Sequence, residues 1–263
     1  MLAWRVLLFV LLLLAGANPA RALDPALEAL EPGERGRVIE VVDGDTVVLE
    51  RGLQVRLVGL QAPKLPLGRA GFRAWPLADQ AKAALEAIAL GHDAELRYGG
   101  RRRDRHGRAL AHLVLDGGLW AQGAMIDAGL ARVYSFPDNR ALVTMLLARE
   151  VEARAARRGI WSNPFYAIRK SDEAADHLDE FALVEGRVLK VARARGRTYL
   201  NFGADYRSDF TVSIAAQAAR LFETAGIELR RYEGQIIRVR GWVDSLNGAM
   251  IEATHPEQIE LVP

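Results

Sequence analysis

The chain has no cysteine among its 263 residues, which excludes a disulfide framework, a zinc-thiolate cluster and a thiol nucleophile. Any chemistry falls to carboxylates, bases, hydroxyls or a hard cation held by oxygen. Long apolar runs are missing too: residues 6–17 form a run of 12, against about twenty needed to cross a bilayer. Histidine is scarce, and His92, His106, His112, His177 and His255 stand at no metal-ligand spacing. A large net charge is also absent, with 35 Lys and Arg against 33 Asp and Glu. Arg5 and Arg21, both in the first 22 residues, account for that excess of +2. Without that segment the charges balance, so attraction to a polyanion must come from a local patch.

What is present begins with a short leader. Arg5, the apolar run and the small-residue triplet Ala20-Arg21-Ala22 read as a signal peptide over residues 1–22, cut before Leu23. A retained N-terminal anchor is the alternative. The expectation is an exported protein, periplasmic or secreted, with no integral membrane domain after cleavage. With no cysteine to mispair, an oxidising compartment poses it no difficulty.

After a lead-in at 23–35, short alternating stretches at 37–42, 46–49 and 54–60 predict a three-stranded meander, with Asp43-Gly44-Asp45 as its first turn. Gly44 is read there as a residue permitting positive φ. Leu77, Ala81, Ala84, Leu85 and Ile88 recur every three or four residues after Pro76 and predict a helix ended by Gly91. Strands follow at 94–98 and 109–115, then helices near 120–128 and 139–158. Five strands interrupted by one helix and followed by others predict a mainly β, α+β unit: a five-stranded barrel of the oligonucleotide/oligosaccharide-binding (OB) type over 36–163. Residues 164–180 have no period and read as a linker. Strands near 184–192, 198–202, 210–214, 235–242 and 250–252, with a helix at 216–225, predict a second OB-like barrel over 181–263.

Taken singly, the chemistry-bearing residues are ambiguous. Asp43-Gly44-Asp45-Thr46 fits an ordinary hairpin turn as well as a pair of carboxylate ligands, and an EF-hand loop fails because its twelfth position is Gln54. Arg56, in the apolar strand Val55-Arg56-Leu57-Val58, either faces solvent or needs an anion. Residues 101–108 carry five arginines and one acid, which suits a solvated loop or a phosphate footprint. Arg187, Lys190, Arg193, Arg195 and Arg197 lie near Tyr199 and Phe202, a mixture that suits single-strand binding or simply core aromatics beneath surface charge. Trp161 and Trp242 read as core or domain-junction residues.

In combination they are far more specific. Val41-Val42-Asp43-Gly44-Asp45-Thr46, then Arg56-Leu57-Val58-Gly59-Leu60-Gln61-Ala62-Pro63, then Asp104-Arg105-His106-Gly107-Arg108, then Gly129-Leu130-Ala131 and Gly159-Ile160-Trp161-Ser162 resemble the staphylococcal-nuclease-like (thermonuclease) family in order and spacing, over about 36–163. The resemblance implies metal-dependent phosphodiester hydrolysis on DNA or RNA. It implies a calcium ligand at Asp45 with Asp43 nearby, catalytic arginines at Arg56 and Arg108, and phosphate binding by Arg56, Arg105 and Arg108. Two positions depart from it: Gln61 stands where the family has a second calcium-binding aspartate, and Lys64 where it has the catalytic glutamate. Losing a carboxylate beside an added ammonium weakens any Ca²⁺ site. A charged lysine cannot accept the proton that the glutamate would take from water. Lys64 is then expected to join Arg56 and Arg108 in a metal-independent phosphate cradle.

Three readings follow: a nuclease working through Asp45 and the arginines, an inactive binder of single-stranded nucleic acid or another phosphate polymer, or a periplasmic scaffold for protein or envelope partners.

Overall fold

A computed structural model describes residues 23–205 and 207–262. The leader read at 1–22 lies outside them. A short helix α1 (Pro25–Glu28) precedes the long strand β1 (Glu31–Asp43), which pairs antiparallel with β2 (Thr46–Leu49). β3 (Leu53–Leu57) returns beside β2, and a two-residue β4 (Leu60–Gln61) follows. Helix α2 (Ala78–Ala89) buries Ala81, Leu85 and Ala89. β5 (Asp93–Tyr98) pairs with β1, and β6 (Ala109–Leu115) with β5. β6 then runs parallel to β3, closing the order β3-β2-β1-β5-β6 into a five-stranded barrel. A closed ring leaves no strand edge unpaired.

The remaining elements of this half cover the barrel: β7 (Leu119–Trp120), α3 (Ala121–Asp127), β8 (Arg132–Val133), which pairs with β4, and α4 (Val143–Ala155). The expected helix from 139 begins only at Val143 because Leu142 takes a left-handed conformation, φ 61°. One hydrophobic core runs through all of these elements, from Leu27 to Leu146.

The stretch read as a linker is packed. Tyr166 is buried and donates its hydroxyl to Pro76 O at 2.7 Å, and β9 (Arg169–Lys170) pairs parallel with β10 (Phe181–Arg187). The chain turns after Val188 from one sheet into another as β11 (Lys190–Ala194), so the expected first strand is two. β12 (Arg197–Asn201) and β13 (Thr211–Ile214) continue that second sheet. Helix α5 (Ala216–Thr224) buries Ala218, Ala219 and Phe222. β14 (Ile236–Trp242) lies against β10, and β15 (Asp244–Ser245) pairs with β16 (Ala249–Glu252), which runs parallel to β13. β17 (Ile259–Leu261) finishes the first of the two sheets beside β14. These sheets enclose a second core, including Val184, Leu200, Phe222 and Val239.

Part of the basic and aromatic hairpin of this half is taken up by the protein itself, while Lys190, Arg193 and Arg195 stay exposed and Tyr199 half-buried. Phe202 is buried against Phe210, ring centroids 4.9 Å apart, Arg197 pairs with Glu252, and Arg187 donates to Gly234 O. Among the described residues no helix is long and apolar enough to cross a membrane.

Candidate functional site

The turn between β1 and β2 brings Asp43 and Asp45 to one end of the barrel. Gly44 between them does not take a positive φ, contrary to the expectation from the turn. It is required for space: a Cβ there would lie 2.7 Å from Cβ of Ala62 and 2.8 Å from Cβ of Ala81. That close approach lets the segment after β4 pass directly over the turn. Ala62 N donates to Asp45 Oδ2 at 2.8 Å, and Asp45 N donates to Asp43 Oδ1 at 3.1 Å.

Both carboxylates are buried, and protein cations already surround them. Lys64 Nζ lies 2.5 Å from Asp45 Oδ2 and 3.4 Å from Asp43 Oδ2. Arg56 Nη1 lies 3.2 Å from Asp45 Oδ1. Arg56 also donates to the carbonyls of Asp45, Leu57 and Leu60, the last two at 2.8 and 2.9 Å. Its guanidinium is thus fixed in place, neither free at the surface nor unpaired. Burial alone would raise the Asp45 carboxyl, but the Arg56 and Lys64 charges and the hydrogen bonds from Lys64 and Ala62 outweigh it and hold Asp45 down at about 2. Asp43 is pushed upward by burial and by the charge of Asp45, against the weaker pull of Lys64 and Arg56.

Gln61 is also engaged. Its Oε1 accepts from Arg132 Nε at 3.0 Å and Nη2 at 2.7 Å, both side chains being buried. Arg132 lies over the Phe181 ring at 4.4 Å and near Trp75 and Tyr166, at 5.7 Å from each. Burial lowers its guanidinium to about 10, which leaves it charged at neutral pH.

These contacts test the calcium ion that the resemblance implies. Calcium takes 6–8 oxygen ligands with several carboxylates among them. Asp45 is committed to two cations and an amide, Gln61 to a third cation, and Lys64 holds an ammonium against both aspartates. Among the described residues no three His, Cys, Asp or Glu side chains converge on a point a metal could fill. The residues present do not fit the ion.

A cleft of about 520 Å³ opens on the other side of Arg56. Arg101, Arg105, His106 and Arg108 line it with Arg56, and so do Tyr134 and Phe136. The loop bearing the arginines is shaped by Asp104, whose Oδ1 accepts from the amides of His106 and Arg108 and whose Oδ2 accepts from Arg108 Nε at 2.8 Å. Asp138 faces Arg101 at 3.7 Å. Asp104 and Asp138, with Asp45 on the far side of Arg56, answer three of the four arginines, so the cleft keeps a net positive charge. Arg56, Arg105 and Arg108 therefore share one cavity, as the sequence suggests. Lys64, Asp43 and Asp45 do not line it.

Arg101 comes to the cleft with the arginine loop 101–108, but sequence reading missed Tyr134 and Phe136 as cleft residues and Arg132 as the partner of Gln61. It also missed how the second half grips the first. Arg240, 1 % exposed, donates to Glu150 at 2.9 and 3.0 Å and to Val133 O, and it also binds Glu260. Arg154 pairs with Glu260 at 2.6 Å, Arg140 is two-pronged on Glu257, and Ser135 Oγ is 2.8 Å from His255 Nε2. Buried charges of this kind are retained only when paired. One signal was readable: Glu150 interrupts the apolar stripe of Val143, Leu146 and Ala153 on α4, so the helix had to bury a carboxylate.

Comparisons with known proteins agree with this architecture. The model of the family described as Staphylococcal nuclease homologue matches residues 54–163. An uncharacterized endonuclease of Escherichia coli is 28% identical over 131 residues, covering 49% of this chain and 77% of its own length. Protein ParB of Escherichia coli is 30% identical over 141 residues, 49% of this chain and 73% of its own. The thermonuclease of Staphylococcus hyicus is 25% identical over 130 residues, 48% of this chain and 75% of its own. With a family model matched across most of the first half and a relative 30% identical over 73% of its own length, this chain belongs to the staphylococcal nuclease family.

Proposed function

We propose that this protein holds nucleic acid by its phosphates, without a metal ion, and that its site no longer hydrolyses the chain. The observation that carries the reading is the Lys64 ammonium 2.5 Å from Asp45. A fixed protein cation stands where a hydrolytic site would need carboxylates free for an ion. No residue in the family's general-base position can accept a proton, because Lys64 is there and is ion-paired. What stays available is the arginine cleft. Arg56, Arg105 and Arg108 can donate to phosphate oxygens, and Tyr134 and Phe136 offer ring faces beside them. Lys64 serves this site indirectly, by neutralising Asp45 so that its charge does not oppose an incoming phosphate.

Hydrolysis, the activity named in two of the relatives described above, is the competing reading. Single- and double-stranded DNA and RNA, incubated with the protein in calcium and in chelator, decide between the two. Salt-sensitive binding that survives chelator, without cleavage, is the expected result, and Arg56→Ala should abolish it. Cleavage lost both in chelator and in Arg56→Ala would overturn the proposal. A protein that binds no nucleic acid under either condition would support a scaffold role for protein or envelope partners.

We further propose that the chain works as two domains, 36–163 and 181–263, joined by the packed segment 164–180. It is proposed to act outside the cytoplasm, in the periplasm or secreted, after cleavage of residues 1–22. A mature N-terminus at Leu23, read by mass spectrometry of the native protein, is the expected outcome.

A further inference from the structure

We propose that the junction of the two halves carries a nucleobase-binding subsite built by Trp242 and Phe136, so that a single strand lies across both halves. The proposal rests on the phosphate-binding reading of the arginine cleft and extends it to the C-terminal half. Tyr134 and Phe136 line the arginine cleft and also a second cavity of about 230 Å³, whose other wall is Phe181, Gly241, Trp242, Asp244 and Glu252. The two cavities are therefore neighbours sharing one aromatic wall.

Four rings run in sequence along that wall. Phe136 meets Tyr134 edge-on at 4.9 Å, Tyr134 meets Phe181 edge-on at 4.9 Å, and Phe181 meets Trp242 at 6.4 Å. Trp242 Nε1 donates to Tyr134 OH at 3.3 Å, which fixes the indole across the junction. The inner rings, Tyr134 and Phe181, are partly or wholly buried. The outer two are open, Phe136 at 50% and Trp242 at 45% exposure. Large apolar rings held open beside an electropositive cleft are suited to stacking on bases, which is tolerant of sequence.

The charges divide the labour between the cavities. Asp244 and Glu252 are exposed at the junction, so a phosphate would be repelled there, and Glu252 already binds Arg197. Phosphates belong in the cleft of Arg56, Arg105 and Arg108, and a base from the same strand reaches the junction. A base inside a duplex is stacked and paired and cannot enter, so the occupant is an unpaired strand.

The test is anisotropy of labelled oligothymidylates of two and eight nucleotides with the full protein. Trp242→Leu should weaken the eight-nucleotide strand about tenfold and leave the dinucleotide unchanged, and Trp242→Phe should recover most of the loss. A duplex of eight pairs should bind all three proteins alike. Equal binding of the longer strand by Trp242→Leu and the unaltered protein would overturn the subsite while leaving the phosphate cleft standing. If the unaltered protein binds no strand at all, the cleft reading fails and the subsite with it. Should Trp242→Leu fold poorly, photocrosslinking of the unaltered protein to a 5-iodouracil eight-mer decides: label on the peptide containing Trp242 is expected, and label confined to the arginine loop would refute the proposal.

Discussion

The two sides of Arg56 are built on opposite electrostatic plans. On one side Asp43 and Asp45 are buried and answered by Lys64 and by Arg56 itself, so every strong charge has a partner inside the protein. On the other side Arg56, Arg101, Arg105 and Arg108 line an open cleft in which Asp138 and Asp104 answer Arg101 and Arg108, Arg56 already meets Asp45, and Arg105 faces no carboxylate. The first arrangement contributes structure. The second leaves positive charge facing outward. The proposed loss of hydrolysis and the proposed hold on phosphates therefore depend on different side chains and can be tested apart.

The largest effect that would break this contrast is removal of the internal cation. Lys64→Met leaves two buried carboxylates with one partner fewer and should cost about 3 kcal/mol, measured by urea unfolding at neutral pH. An unchanged midpoint would mean that the aspartates do not need the ammonium. Next comes acid. The folded Asp45 carboxyl sits at about 2 against 3.8 for an unperturbed aspartate, so its contribution is present above the unfolded value and is lost as the pH falls through the folded one. That loss should amount to about 2 kcal/mol between roughly pH 4 and pH 2. Asp43 has the opposite sign: its raised value means that protonation favours the folded state, and its contribution disappears as the pH rises through that value. Carbon-13 titration of the two carboxyls should therefore give midpoints on either side of the ordinary aspartate value, and two equal midpoints would break the comparison. The smallest effect sharpens it. Arg105→Ala should lower the slope of log affinity against log salt by about 0.9 for a duplex or about 0.7 for a single strand, one phosphate contact, while Lys64→Met leaves that slope unchanged.

Much of the frame was legible because it follows local rules. The β1–β2–β3 meander and the helix after Pro76 come from periodicity over a few residues, and the structure has them; in the second half the main strands and the helix are there, but the expected first strand is two and the short strands at 169–170, 244–245 and 259–261 are additional. The site was legible in part, since Asp45, Arg56 and Arg108 are recognisable by spacing. What escaped depends on contacts remote in sequence. Gln61 and Arg132 are 71 residues apart and Glu150 and Arg240 are 90 apart, and no window along the chain shows either pair. Lys64 was read as a group facing phosphate because its sequence neighbours do not reveal that two aspartates, 19 and 21 residues earlier, lie against it. Gly44 was misjudged for a similar reason, since the need for glycine comes from Ala62 and Ala81. The hairpin of Arg193 and Arg197 carries the composition of a binding surface, but its aromatic Phe202 is taken up by the core.

The ion pair between Glu150 and Arg240 also ties the charge balance of one half to the other. Glu150 meets Arg154 one turn further along its own helix at 3.4 Å, and Arg240 reaches it from β14, 90 residues away. Without the C-terminal strands, α4 would hold its buried carboxylate with one cation in place of two. The N-terminal barrel can thus be complete in its strands while the last of its buried charges is answered from the far end of the chain.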